Sequence, residues 1–437
     1  MRNEKLVFEL WHLGIIWLCL VLGLVLLGAG APAWGRPEGS KWEVGAPIVS
    51  YYQGPGCGAP PRFDSMTPAV AKKLADGGFN LVWCMSVADL DTAHAQGLRG
   101  MTQFVRPELL HHPDQWAYLD ANIDIVKDHP AMYAYYVVDE PSAKEFPALG
   151  RLVAYIRKRD PKHLVYINLS PTYASAAALG TSGDTVTAYR KHLRQFVEIV
   201  KPDAISWDHY HFRKTDRPYD GSDYFLNLAL VREAALAGEV PFLNVVQAAA
   251  MGLGWRTPNG DEGRFLAYTT LAYGGQGIFQ FVYNAWEGSE HWGGVVNVDR
   301  TPTPLGKALR QINPEFVAIG EQLQPLTSLG AYHLGTVPEG GAGLPADACF
   351  TLDPQVAPEK ERGKGSILLG YFGTKGNPTH VLVVNLDHTR AVTTTVVSPG
   401  PMEVFDAKER KWSRTSSARS RAKVSLMPGG GKLLRLR

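Results

Sequence analysis

Asp139 and Glu140 are adjacent carboxylates followed by Pro141, and they end the run Met132-Tyr-Ala-Tyr-Tyr-Val-Val. The β-branched and aromatic composition of that run predicts a buried strand. Such a strand delivers its acids to a C-terminal end, which is where a (β/α)8 barrel keeps its reacting groups. A general acid working near neutrality needs a pKa raised by burial or by a nearby negative charge. Asp139 supplies that charge to Glu140, and a barrel mouth supplies the burial. Two carboxylates in a cleft are the usual means of cleaving a glycosidic bond. The plainer alternative is that both acids only favour the first turn of the helix expected over 142–159.

Asp208 is the second candidate. If it points into a barrel, strand alternation sends Ala204, Ser206 and Tyr210 the same way and turns Trp207 and His209 toward the surrounding helices. A structural pairing of Asp208 with His209 or Arg213 is the competing reading. His209-x-His211 has the spacing of two metal ligands on one strand face, but no third ligand and no Cys-x-x-Cys pattern accompanies it, so no metal is expected. Polar and aromatic residues recur at the other expected strand ends: Tyr51, Tyr52 and Gln53; Trp83 and Ser86; Asn168; Gln247; then Tyr283, Asn284, Trp286 and Glu287. Hydroxyl-rich ligands need several donors and a stacking plane. From this rim Tyr51, Trp83, Asn168, Tyr210, Gln247, Tyr283, Trp286 and Glu287 are the expected substrate-binding set.

These residues need a scaffold that brings strand ends together. Expected strands at 48–52, 80–85, 100–104, 132–138, 164–168, 204–207, 242–247 and 278–283 alternate with amphipathic helices. Thr67-Pro68 marks a helix start, and Asp76-Gly77-Gly78 a stop. Tyr189, Leu193, Phe196, Val197 and Val200 recur at helical spacing before Pro202. Eight such units over about 280 residues have the size of a TIM barrel. An open doubly wound sheet is the competing fold, but no Gly-rich nucleotide loop follows the first strand. The barrel is expected over 45–324. Beyond 325 short β runs separated by Gly, Pro and polar turns predict an antiparallel β-sandwich to 437.

The 437 residues suit one large domain and a smaller one. A formal charge of +2 gives no case for nucleic acid as partner. Residues 400–437 hold ten Lys/Arg against three Asp/Glu, which solvated strand faces explain. Arg2 and Lys5 precede an apolar run from 13 to 29 and an Ala31-Pro32-Ala33 cleavage pattern, so 1–33 is expected to be a signal for export. A membrane contact is expected only if that segment stays uncleaved. Cys57 and Cys84 would be neighbours in a barrel, as a disulfide or as two buried thiols.

The segments Tyr135-Tyr-Val-Val-Asp139-Glu140-Pro141, Ile205-Ser-Trp-Asp208-His-Tyr210 and Leu271-Ala-Tyr-Gly-Gly-Gln-Gly-Ile-Phe-Gln-Phe-Val-Tyr283 resemble TIM-barrel glycoside hydrolases of the group containing the family 42 β-galactosidases. Val383-Val-Asn385-Leu386 and Pro428-Gly-Gly-Gly-Lys432 resemble the β-sandwich often appended to them. Retaining members carry a nucleophilic Glu at the end of strand seven, where this chain reads Asn244-Val-Val-Gln247. The adjacent Asp-Glu pair instead resembles the β-N-acetylhexosaminidases of families 20 and 123. That resemblance implies that the Asp orients the substrate's own acetamido group as nucleophile and the Glu is the acid. Inversion by Glu140 with Asp208 and double displacement through Asp208 or Glu287 are the other mechanisms. The expectation is an exported glycoside hydrolase without cofactor, with Glu140 as acid, Asp139 as its partner and Asp208 as a further carboxylate. A non-catalytic carbohydrate-binding barrel and a metal-dependent hydrolase using His209 and His211 are the alternatives.

Overall fold

The computed structural model describes residues 42–60, 62–214, 223–252, 254–285, 291–353, 366–415 and 420–437. The expected export segment and two of the rim residues, Trp286 and Glu287, lie outside them. Among the described residues no helix is long and apolar enough to cross a membrane.

Eight parallel strands follow one another along the chain: β1 (Ile48–Tyr51), β2 (Leu81–Cys84), β3 (Arg99–Thr102), β4 (Met132–Asp139), β5 (Leu164–Leu169), β6 (Ile205–His209), β7 (Phe242–Gln247) and β8 (Gly277–Phe281). They hydrogen-bond in the order β2-β3-β4-β5-β6-β7-β8-β1, and helices cover their outer side. Burial on both faces explains their nearly continuous apolar sequences, such as Leu-Val-Trp-Cys in β2.

The remaining seam, β1 against β2, is closed by Asn80. Its N–H donates to the Val49 carbonyl at 3.0 Å, its Oδ1 accepts from the Val49 N–H at 2.9 Å, and its Nδ2 donates to the Pro47 carbonyl at 2.8 Å. One side-chain amide thus replaces a missing stretch of ladder. Arg99 Nη2 donates to the same Oδ1 at 2.9 Å, with its guanidinium 4.3 Å from the Tyr133 ring.

The helix starts obey local chemistry. Thr67 Oγ1 accepts from Val70 N–H at 3.3 Å and Pro68 takes the first helical turn. Asn259 and Glu262 form a reciprocal capping box on the helix Gly260–Tyr273. The periodic 189–200 stretch is an α-helix, Thr185–Gln195, that widens into a π-turn, Phe196–Val200.

The long helix Pro304–Leu323 leads into two antiparallel sheets. The larger has seven strands, with Ile367–Thr374, Asn377–Asn385 and Gly431–Leu436 side by side in it. One face packs Leu369, Val381, Val383 and Leu434 against Val396, Val424 and Leu426 of the three-stranded sheet. The other face puts Leu368, Phe372, Leu382, Val384 and Leu433 into the barrel's core cluster. Gly370 makes that approach possible, because a Cβ there would collide with the Ala272 carbonyl.

The structure adds strands that the sequence did not mark and decides between the two readings of the cysteines. The strand Arg421–Leu426 was hidden by its charges: Ala422, Val424 and Leu426 are buried while Arg421, Lys423 and Ser425 face solvent. Cys57 and Cys84 are free thiols and not a disulfide. The Cys57 Sγ accepts from the Gly54 N–H at 3.3 Å, and burial pushes this thiol up to about 12.

Asn80→Ala should cost about 2–4 kcal/mol, because it strands buried backbone groups of β1. Chemical denaturation measures this, and a loss below about 0.5 kcal/mol would show that the seam does not depend on the amide.

Candidate active site

The site begins with an irregularity in β4. Tyr136 pairs with Tyr166, but Val138 then pairs with Ile167 and Asp139 with Asn168, so the register slips by one residue around Val137. Simple alternation would put Val138 on the Tyr136 side and turn Asp139 away. The bulge reverses this and sets Asp139 level with Asn168. Asn168 in turn pairs with Ser206 of β6, two residues before Asp208. Glu140 follows at φ +47°, a left-handed conformation that costs a non-glycine residue about 1–2 kcal/mol. Its N–H is held by the Asn168 carbonyl at 2.8 Å.

The result is three carboxyl groups around one amide. Asn168 Nδ2 donates to Asp139 Oδ1 and to Asp208 Oδ1, each at 3.1 Å. Asn168 Oδ1 accepts from Ser206 Oγ at 3.1 Å. Glu140 and Asp208 are close enough that each shifts the pKa of the other, and two carboxyl groups so placed do not readily both ionise. Tyr210 also lies beside Asp208: the acid raises the phenol, and the phenol lowers the acid. Asp139 and Glu140 reach open solvent at the mouth, whereas Asp208 is only 5% exposed.

Protonation follows from this crowding. Burial, then the charges of Glu140 and Asp139, raise Asp208 well above the ordinary carboxylate range, and the bonds from Asn168 and Tyr210 only partly oppose them. Burial and then Asp139 raise Glu140, while the bond with Asp208 lowers it. Burial raises Asp139, and the Asn168 amide pulls it back. No lysine or arginine among the described residues pairs with any of the three. Both members of the pair are raised, Asp208 as the most enclosed the more strongly, so the pair keeps a proton at a pH where isolated carboxylates would be ionised. The expected structural partners of Asp208 are elsewhere: His209 faces outward, bonded to Asn227 Oδ1 at 3.1 Å and held at about 3 by burial, and Arg213 lies over Trp255.

Below the acids the barrel is filled with rings. Tyr52, Trp83, Tyr136, Tyr166, Phe279 and Phe281 contact one another, with Tyr166 stacked 5.1 Å from Phe279. Trp83 therefore belongs to the floor, with its indole N–H donated to the Tyr51 carbonyl. Tyr51 and Tyr283 instead pack on each other at 4.8 Å and on Phe79, and the Tyr51 hydroxyl donates to the Pro55 carbonyl at 2.8 Å. It is Tyr52 that enters the lumen. Gln247 is wholly engaged with backbone: its Nε2 donates to the carbonyls of Phe212 at 3.0 Å and Arg256 at 2.7 Å, and its Oε1 accepts from Phe212 N–H at 2.7 Å. It braces the loops after β6 and β7 and leaves no amide for a ligand. His211 stacks on Phe265, apart from His209, and among the described residues no group of three potential ligands could hold a metal.

One wall of the mouth was not anticipated. Tyr173, Arg213 and Trp255 come from the loops after β5, β6 and β7. The Arg213 guanidinium lies 3.8 Å from the Trp255 ring and 5.8 Å from Tyr173, and Trp255 Nε1 donates to the Tyr210 carbonyl at 3.0 Å. Tyr173 keeps 36% of its surface open. Burial and then the charge of Asp208 raise its hydroxyl, which places it beside the acids. An aromatic in the loop directly after an expected strand was the available signal for Tyr173; nothing in the glycine-rich segment around Trp255 marked it.

No protein-family model matches this sequence, and no curated protein matches it. Among solved structures the chain is similar to the β-galactosidase of the psychrophilic Marinomonas ef1 at TM-score 0.44 and 11% identity, with 63% of this chain covering 60% of that one. It is similar to the β-glucuronidase of Ruminococcus gnavus at 0.43 and 13%, covering 61% of this chain and 49% of that one. It is also similar to a GH30 endoxylanase from Clostridium papyrosolvens C71 at 0.44 and 8%, covering 90% and 98%. The chain thus spans about half to three fifths of the length of the first two. Likeness at this level assigns no activity, which has to be read from the residues of the mouth.

Because the folded pKa of Asp208 is raised, its contribution to stability is fully present at acid pH and is lost as pH rises through that folded pKa. Asp208→Asn keeps the hydrogen-bond pattern of the protonated acid. It should stabilise the protein at neutral pH by about 1–3 kcal/mol, the gain shrinking toward pH 4. Thermal unfolding across that range tests it; a uniform loss of stability would contradict the assigned proton.

Proposed function

We propose that this protein is a glycoside hydrolase whose barrel mouth cleaves O-glycosidic bonds, with Glu140 as the general acid. The observation that carries this reading is the convergence of Asp139 and Asp208 on Asn168 beside Glu140, with no lysine or arginine among the described residues paired to them. Such crowding keeps a carboxylic acid protonated near neutral pH, which is what departure of a sugar alkoxide requires. The Tyr173–Trp255 wall offers a plane on which a sugar ring stacks, and the exposed carboxyl groups of Asp139 and Glu140 stand at the same mouth.

The arrangement favours substrate assistance among the three mechanisms. Inversion needs a water between carboxyl groups separated by roughly 6.5–9.5 Å, and the mutual pKa shift of Glu140 and Asp208 supports a closer approach than that. Double displacement has no carboxylate on β7, where Gln247 is occupied by backbone; the raised pKa of Asp208 disfavours it as the nucleophile, and Glu287, the other candidate, lies outside the described residues. In the remaining mechanism the oxygen of a 2-acetamido group attacks the anomeric carbon, with Asp139 holding its N–H. Glu140 gives its proton to the departing glycosidic oxygen. Water, losing a proton to Glu140, then opens the cyclised intermediate with retained configuration. Asp208, beside Glu140, exchanges a proton with it between turns. The apolar N-terminal run supports export, with carbohydrate outside the cytoplasm as the substrate.

Chromogenic N-acetyl-β-hexosaminides should be hydrolysed with retention and inhibited by a thiazoline mimic of the cyclised intermediate. Glu140→Gln should lower kcat by about 10²–10⁴-fold without altering the fold, and activity should fall as pH rises through the raised Glu140 pKa, because the acid form is then lost. Hydrolysis by Glu140→Gln at the parent rate would end the assignment. Oligosaccharide that binds and stays uncut would favour a binding barrel.

A further inference from the structure

Beneath the three acids a line of hydroxyl groups runs across the lumen. Tyr52 OH donates to Tyr166 OH at 3.0 Å, Tyr166 OH lies 2.8 Å from Ser206 Oγ, and Ser206 Oγ donates to Asn168 Oδ1 at 3.1 Å. All four residues are buried. The direction of the line follows from proton arithmetic. A carbonyl oxygen only accepts, so Ser206 must give its single proton to Asn168. Ser206 then accepts from Tyr166, whose proton is thereby used, and Tyr166 accepts from Tyr52. Every donor points toward the mouth, and the line ends in the two N–H bonds of Asn168 to Asp139 and Asp208. Reversing the amide would aim its oxygen at two carboxyl groups and its N–H at a hydroxyl already engaged.

We propose that Ser206, Tyr166 and Tyr52 are positioning residues that act through Asn168: they fix its amide so that Asp139 stays ionised and the site's one proton remains on the Glu140–Asp208 pair. This rests on the glycosidase reading only for its catalytic consequence. The groups facing the two aspartates are Tyr136 and Glu140 from β4, Tyr166 from β5, Tyr52 after β1, Tyr173 after β5, and Tyr210 after β6. Arg213 is the charged group on the neighbouring wall. Asn168 is the member of this set that donates to both aspartates, so the orientation of its amide controls how they share charge. In the proposed mechanism an ionised Asp139 holds the acetamido N–H, and the proton on the pair is the one delivered to the leaving oxygen.

The test is the titration of the aspartate carboxyl carbons by NMR in the whole protein, assigned with Asp139→Asn and Asp208→Asn. In Ser206→Ala and Tyr166→Phe, Asn168 is free to turn, so Asp139 should titrate higher by about one unit. The acidic limb of kcat/KM should move up with it while KM changes little. Tyr52→Phe, at the far end of the line, should give a smaller shift in the same direction and serves if the nearer variants do not fold. Ser206→Thr keeps the hydroxyl and should behave as the parent. Tyr133→Phe, which removes a buried hydroxyl bonded to the Val44 carbonyl at the other end of β4, should move neither readout. An Asp139 titration unchanged in the variants that fold overturns the proposal, even if the parent hydrolyses glycosides. A shifted titration in a protein that hydrolyses none would uphold the line of hydroxyls and remove the glycosidase reading instead.

Discussion

Two aspartates share one amide at the mouth of this barrel with a glutamate crowded beside them, and the rest of the molecule is arranged so that they have to. Acids this close in a partly enclosed space cannot all ionise. Relief normally comes from an arginine or lysine, and the described residues bring neither to them. The tension is instead taken up by a retained proton and by a neutral donor, the Asn168 amide. A guanidinium beside these acids would hold them ionised. On the proposed reading, the local loss of stability keeps an acid available, as functional sites commonly do.

The fold serves this end at several levels. Asn80 completes the hydrogen-bonded ring, so that the strand ends form one rim. The aromatic layer of Tyr52, Tyr136, Tyr166 and Phe279 fills the lumen under the acids and supplies the low-polarity surroundings that raise their pKa values. The bulge in β4 and the left-handed turn at Glu140 aim two consecutive side chains into the same space, which a regular strand would send to opposite faces. Gln247, by gripping the loops after β6 and β7, steadies the wall that carries Trp255 and Arg213.

Much of this was legible in the sequence, and the parts that were not have physical reasons. Runs such as Tyr-Ala-Tyr-Tyr-Val-Val and Phe-Leu-Asn-Val-Val announced buried strands because composition alone marks them. Strand ends announced the acids. Side-chain direction was harder, since it depends on register. Alternation along β6 correctly sent Asp208 inward and His209 outward. In β1 the lumen residue is Tyr52 and not Tyr51. In β4 a one-residue bulge that nothing in the local sequence signals decides where Asp139 points. Gln247 read as a rim donor because its position was right. Only three-dimensional placement reveals that backbone groups of Phe212 and Arg256 occupy its amide. The strand Arg421–Leu426 was masked by basic residues on its solvent face.

The two-sided burial of the seven-stranded sheet bears on how the chain is made. Helix Gly260–Tyr273 of the barrel is enclosed along most of its length, and part of its cover comes from the sheet's inner face. The strand Gly431–Leu436 sits inside that sheet, between Asn377–Asn385 and Met402–Asp406. A growing polypeptide that has already produced all eight barrel strands still exposes an oily helix flank, and it keeps doing so until about 160 further residues have been synthesised. Nascent chains of this protein therefore carry an uncovered apolar flank for a long interval, and trimming away the C-terminal sheets would leave that flank bare on the barrel.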